Sequence, residues 1–200
     1  MPTPSPRLLT PLRGALIVTA AVVVMWAVEA IDQVFGAGFD SYGILARDVS
    51  GLPGIVTAPF LHSGYDHLAS NSVPLIVLGG LAASRGLARF LAATAIIVLV
   101  GGAAVWLTSP DNTITIGASG LVFGYFGYLL TRAVLERRVL DIVIAVVCVV
   151  FYGSILWGVL PGTPGVSWQG HLFGLCAGVL AAWMLKRPRA VPTATTSPTL

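Results

Sequence analysis

Apolar residues gather into six runs along the chain, separated by short polar or glycine-rich segments. The runs are Gly14 to Phe35, His67 to Ala83, Leu87 to Leu107, Gly117 to about Leu130, Val139 to Leu160 and Trp168 to Leu185. Each is expected to be a helix, because continuous apolar stretches near ~20 residues suit a membrane span. The first run follows a basic start, as a signal peptide core would. It is longer than the ~7–15 residues of such a core, and Val28-Glu29-Ala30 is a poor cleavage triplet, so a retained helix is expected. Residues 36–66 form a long first loop rich in glycine and proline, within which Gly54–Leu61 is apolar enough to lie at an interface. Loops of this length usually have a function of their own.

Composition agrees with the runs. The chain of 200 residues is 56% hydrophobic and only 10% charged, where soluble domains carry ~25% charged residues. Mean hydropathy is +0.89. This excludes an ordinary soluble domain. The net charge of +3 finds its explanation in orientation, not in nucleic-acid binding. Arg7, Arg13, Arg85, Arg89, Arg132, Arg137, Arg138, Lys186, Arg187 and Arg189 all fall on one side of a six-span arrangement, with Arg47 the exception. The positive-inside rule makes that side cytoplasmic, with both termini on it. Arginine greatly outnumbers lysine, and Ala, Val and Gly are abundant, which suits a GC-rich bacterial genome and hence a cell inner membrane. Residues 1–13 and 187–200 read as disordered tails around a body at 14–186. Cys148 and Cys176 lie inside apolar runs and are expected to be small buried hydrophobes.

The chemistry gathers at one depth. His62 and His67 precede or open the second run, Ser119 opens the fourth and His171 the sixth, all at the outer side. Ser119 to Arg132 spans roughly 20 Å of helix at ~1.5 Å per residue. If Arg132 marks the inner surface of a core ~30 Å thick, Ser119 is submerged and residues 108–117 must dip into the fold beside water. Gly120 and Gly124 in the fourth run, and Gly170, Gly174 and Gly178 in the sixth, recur every fourth residue. This small-xxx-small pattern lets helix backbones approach closely. Generic packing accounts for such glycines too, but the approach could bring Ser119 to His171 as a nucleophile–base pair. His67 and Asn71 share a helix face. They could glue helices together or, with the unpaired N–H groups at the start of the fourth helix, hold an oxyanion. Polar residues within membrane helices mark function by default.

Three segments resemble the rhomboid family of intramembrane serine proteases. His62-Ser63-Gly64-Tyr65-Asp66-His67-Leu68-Ala69-Ser70-Asn71 resembles its H-x4-H-x3-N pattern on the second helix. Gly117-Ala118-Ser119-Gly120 resembles its G-x-S-G motif on the fourth. Gly170-His171-Leu172-Phe173-Gly174 resembles its H-x-x-G motif on the sixth. The resemblance covers about residues 12–186. It implies an all-α membrane protein, a six-transmembrane-helix bundle with both termini cytoplasmic, and a Ser119–His171 dyad needing no metal or cofactor. It implies oxyanion donors from His67, Asn71 and the Ser119 backbone, with His62 bonding within the first loop. Gly117, Gly120 and Gly174 belong to the motifs, and Phe123 stands where the family often has a tyrosine stacked on the imidazole. Its substrates would be single-span transmembrane proteins cut near the outer face, in the lipid bilayer. The first loop departs from the family in lacking a Trp-Arg pair, since Arg47 has no tryptophan neighbour.

Other readings are weaker. A catalytically inactive relative acting as a membrane chaperone or adaptor typically loses the serine or the histidine, and both are here. A three-histidine metal site leaves Ser119 and Asn71 without a role. A transporter would need coupling-type acidic residues in mid-helix, and these are missing here. Asp66 is expected to N-cap the second helix, and Glu29 and Asp32 to sit at the outer interface of the first.

Overall fold

The computed structural model describes residues 9–186, with side chains from Leu12 onward. Residues 1–8 of the expected N-terminal tail and residues 187–200, with Arg7, Arg187 and Arg189, lie outside the described residues, and residues 9–13 belong to the first helix. Among the described residues, six long helices follow the six apolar runs. They are α1 (Leu9–Phe35), α2 (Tyr65–Ala82), α3 (Leu87–Thr108), α4 (Ser119–Glu136), α5 (Val139–Tyr152) and α6 (Trp168–Met184). Among the described residues, four segments are long and apolar enough to cross a membrane: Leu12–Phe35, Tyr65–Arg85, Leu87–Thr108 and Val139–Val159. Of the remaining two long helices, α4 forms the middle of the packing and α6 lies against it. Ten α4 residues between Val122 and Ala133 are buried, so α4 tolerates Tyr125, Tyr128 and Arg132 where a lipid-facing helix would not.

The first loop is more ordered than a bare loop. It holds 3-10 turns at Phe39–Tyr42, Val49–Gly51 and Ala58–Phe60, and a helical turn at Gly54–Thr57. Its strand β1 (Ile44–Leu45) pairs antiparallel with β2 (Ile114–Thr115), Ile44 opposite Thr115. The first loop and the segment before α4 therefore share main-chain hydrogen bonds. α2 begins at Gly64, whose φ of 124° glycine alone adopts easily. Gly64, not Asp66, is the N-cap, and Asp66 lies in the first turn, where a carboxylate suits the helix dipole. α3 widens into a π-helical stretch at Ile97–Gly101 before resuming as α-helix.

Packing of α4 on α6 rests on glycine. A Cβ at Gly174 would overlap the Gly120 carbonyl, and one at Gly178 the Gly124 carbonyl. The small residues anticipated as a close-approach pattern are thus in backbone contact.

At the opposite end from Ser119, charged groups tie α2, α4 and α5 together. Asp141, fully buried, accepts two hydrogen bonds from Arg85 at 3.1 and 2.7 Å and pairs with Arg132 at 3.1 Å. Glu136 pairs with Arg89 at 2.6 Å. Arg132 is only 2% exposed, and α4 continues past it to Glu136. It marks an ion-pair cluster, not the water surface, so the sequence-derived depth of Ser119 has no fixed lower end. Pairing of this kind offsets the cost of burying these charges. Glu29, expected at an interface, is buried at 2% exposure and accepts from the Gln33 amide at 2.9 Å. Asp32 instead closes the end of α1 by accepting the Phe39 N–H at 2.9 Å. Cys148 is buried as anticipated, but Cys176 is exposed; its place on α6 puts the thiol on the outside of the bundle.

Candidate active site

Ser119 is the first residue of α4. The chain reaches it through Gly117, whose φ of 110° forces a turn that a side chain would strain. Gly117 donates its N–H to the Ala58 carbonyl at 2.9 Å, which docks the turn on the first loop. The N–H groups of Leu121 and Val122 both close onto the Ala118 carbonyl, at 2.9 and 3.1 Å. Those of Ser119 and Gly120 precede the helical ladder and are its orphan donors.

His67 and Asn71 surround this turn from α2. A Cβ on Gly117 would lie 2.8 Å from His67 Nε2 and 3.9 Å from Asn71 Nδ2. One N–H of the Asn71 amide donates to the His67 carbonyl at 3.1 Å, which fixes the amide and leaves its second N–H. His67 Nδ1 lies 3.3 Å from Ser63 Oγ, so its Nε2 edge faces Gly117. His62 stacks edge-on against His67, ring centroids 5.1 Å apart. Its Nε2 accepts the Ala118 N–H at 3.4 Å. His62 therefore bonds across to the start of α4, while the Phe60 carbonyl of the first loop also acts on its ring.

Burial lowers the His62 pKa to about 4, with the nearby His67 adding to the effect and the Phe60 carbonyl opposing it. An imidazole that must lose its proton to stay buried binds fewer protons folded than unfolded between about pH 6.5 and 4. Its burial is neutral to stability above that window, and stability falls as pH drops through it, by on the order of 3 kcal/mol. In detergent, the thermal midpoint of the wild type is expected to fall more steeply over this range than that of His62→Gln, whose amide oxygen still accepts from Ala118. Parallel pH profiles would refute the assignment.

His171 lies one turn into α6, whose N-cap Ser167 accepts the Gly170 N–H at 3.2 Å. The imidazole stacks on Phe123 at 4.2 Å between centroids and 8° between planes. On its edge, Nδ1 donates to the Gly158 carbonyl at 2.8 Å. A carbonyl only accepts, so in the neutral ring the proton is on Nδ1 and the Nε2 lone pair is free.

Ser119, His171, Phe123, His67, Asn71 and Ser63 line one cavity of about 900 Å³, with the 109–116 and 164–169 segments at its rim. Ser119 and His171 share it without a hydrogen bond between them. Nucleophile–base contacts are often long before substrate binds. Ser119 also borders a second, apolar cavity of about 50 Å³ against the π-helical stretch of α3. Sequence reasoning brought Ser119, His171, His67, Asn71, His62 and Phe123 to one place, and the fold does the same. It missed Ser63 and Gly158. Ser63 stands inside the quoted histidine motif, so its spacing from His67 was available; a main-chain carbonyl leaves no residue-type signal.

The family model described as the Rhomboid domain matches residues 50–188, more than half of the chain. The chain belongs to the rhomboid family. An uncharacterised protein of Mycobacterium tuberculosis is 44% identical over 183 residues, covering 88% of this chain and 76% of that one. Rhomboid-like protein 11 of Arabidopsis thaliana, a chloroplastic protein, is 32% identical over 145 residues, 66% of this chain and 52% of its own. Rhomboid protease GluP of Bacillus subtilis is 29% identical over 143 residues, 68% of this chain but only 26% of its own. With four helices among the described residues fit to cross a membrane, this rhomboid chain has the features of a multi-pass membrane protein.

Proposed function

We propose that this rhomboid is an intramembrane serine endopeptidase that cleaves transmembrane segments of single-span proteins near the outer face of a bacterial inner membrane. In this reading residues 14–186 form the protease domain, with six spans and both termini cytoplasmic. Ser119 Oγ attacks the scissile carbonyl while His171 Nε2 takes its proton. The developing oxyanion lies beside the Ser119 N–H, the free Asn71 N–H and the Nε2 edge of His67. As the tetrahedral intermediate collapses, the imidazolium returns its proton to the leaving amine, and water then hydrolyses the acyl-enzyme by the reverse route. The cavity supplies the water. The observation that carries this reading is the tautomer of His171, because its Nδ1–H is committed to Gly158 and its Nε2 is the basic nitrogen in the cavity that holds Ser119.

The test is active-site labelling of the purified protein in detergent with a fluorophosphonate probe. Wild type is expected to be labelled at Ser119 and Ser119→Ala to remain unlabelled. Equal labelling of the two would remove the nucleophile assignment.

A further inference from the structure

We propose that the main-chain carbonyl of Gly158 is the positioning group of the general base, and that the 3-10 segment Gly153–Val159 carrying it latches His171 in its working tautomer. The proposal rests on the Ser119–His171 reading above. Serine hydrolases usually orient the base histidine with a carboxylate on the nitrogen away from the nucleophile. Within this site the group on that nitrogen is a peptide carbonyl 2.8 Å away.

The local structure explains why that carbonyl is available. α5 ends at Tyr152, and the chain tightens into the 3-10 segment Gly153–Val159 before extending at Leu160. The last carbonyls of a helical segment have no partner within it. Trp157 O accepts the Leu160 N–H at 3.2 Å, and Gly158 O accepts from His171. The histidine thus satisfies a helix-end carbonyl while that carbonyl fixes the histidine.

Steric fit points the same way. The imidazole is held between the Phe123 ring face and the Gly158 backbone. A Cβ at Gly158 would lie 2.8 Å from His171 Nδ1 and 3.1 Å from Phe123 Cζ. Any side chain there must push the ring away from its acceptor or from its stack. A glycine is needed for approach, not for a special φ, since Gly158 is not among the positive-φ glycines.

Orientation, and not basicity alone, is the consequence. If the Gly158 carbonyl moves away, nothing on that edge prefers the Nδ1–H form. A ring protonated on Nε2 presents a donor to Ser119 and cannot accept its proton. Displacement of Gly153–Val159 therefore switches off the base without touching either dyad residue.

The experiment is ¹⁵N NMR of histidine-labelled protein in micelles, with the three ring systems assigned through His62→Gln and His67→Gln. Wild-type His171 is expected to be protonated on Nδ1 above its pKa. Gly158→Ala is expected to show a mixture of tautomers, with kcat on a transmembrane substrate reduced roughly 10²-fold and KM nearly unchanged. An Nε2–H form in the wild type overturns the proposal, and needs no variant to fold. Unchanged tautomer and kcat in Gly158→Ala overturn it as well. A wild type that shows the Nδ1–H form but is not labelled by fluorophosphonate would leave the carbonyl–imidazole contact standing and sink the protease reading instead.

Discussion

Replacing His171 by alanine is expected to lower kcat for cleavage of a transmembrane substrate by roughly 10⁴- to 10⁶-fold, and adding Ser119→Ala to cost almost nothing more. The reason is that the two groups act in one step. Ser119 is a neutral alcohol at the start of α4, with no charged group bonded to it, and becomes a nucleophile only as His171 removes its proton. Without the imidazole, the hydroxyl has no base in reach: His67 presents the cavity wall at Gly117, and its Nδ1 is turned to Ser63. Without Ser119, the imidazole has nothing to activate but water, in a cavity shaped for another attack. What survives either change is the oxyanion site, formed by the first N–H groups of α4 and the Asn71 amide, and it should keep a residual rate above that of uncatalysed hydrolysis. The measurement is a double-mutant cycle in liposomes, with thermal midpoints taken in parallel to show that all four proteins are folded. Losses that add in logarithm would mean that Ser119 and His171 work independently, and the dyad would have to be abandoned. A His171→Ala protein with full activity would move the base elsewhere, His67 being the next imidazole in the cavity.

The sequence reading was strongest wherever function depends on residue type. Histidines, an asparagine and a serine on three separate apolar runs can be recognised without knowing what they touch, and the fold brings all of them to one cavity. It was weakest wherever the answer is a choice of partner. Arg132 looked like a marker of the water surface because an arginine ending an apolar run usually is one. Asp141, the Ala82 carbonyl and Ser84 capture it instead, and none of those pairings leaves a trace in local order. Glu29 looked interfacial for the same reason, and tertiary packing buries it. The family resemblance implies that His62 bonds within the first loop; it leaves out the bond to the start of α4, which β1–β2 pairing and the Gly117–Ala58 bond bring to it. The carbonyl of Gly158 is the extreme case, since every residue has one. Helix termini shifted for a simpler reason. Apolar runs end where side chains turn polar, but α4 runs on to Glu136 because the ion-pair cluster, and not hydrophobicity, holds its last turn.

Substituting leucine for Gly178 is expected to destabilise the folded bundle by about 3 kcal/mol or more, beyond the usual range for an overpacked core, and to abolish fluorophosphonate labelling. The obstacle is backbone. A Cβ at this position would overlap the Gly124 carbonyl oxygen and come within 2.7 and 2.9 Å of its carbon and Cα. No rotamer relieves a clash with a main chain, so α6 must move away from α4 as a unit. Moving α6 carries His171, two turns toward its N-terminus, away from Ser119 and off the Phe123 ring. Stability and chemistry should therefore fail together. Two other glycines serve as controls within the same protein. A Cβ at Gly153 would meet only Val149 Cγ1 at 3.7 Å, and one at Gly120 only the Gly170 carbonyl at 3.5 Å, both ordinary contacts. Gly153→Ala should keep near wild-type stability and labelling. Gly120→Ala should keep the fold, and because it sits directly after Ser119 any loss of labelling there reports on the site and not on packing. Thermal midpoints and labelling rates for the three variants separate these effects. A Gly178→Leu protein that melts with the wild type and labels at its rate would show that α4 and α6 can part without cost, and the glycine contact would then no longer explain how the serine and the histidine come to face one cavity.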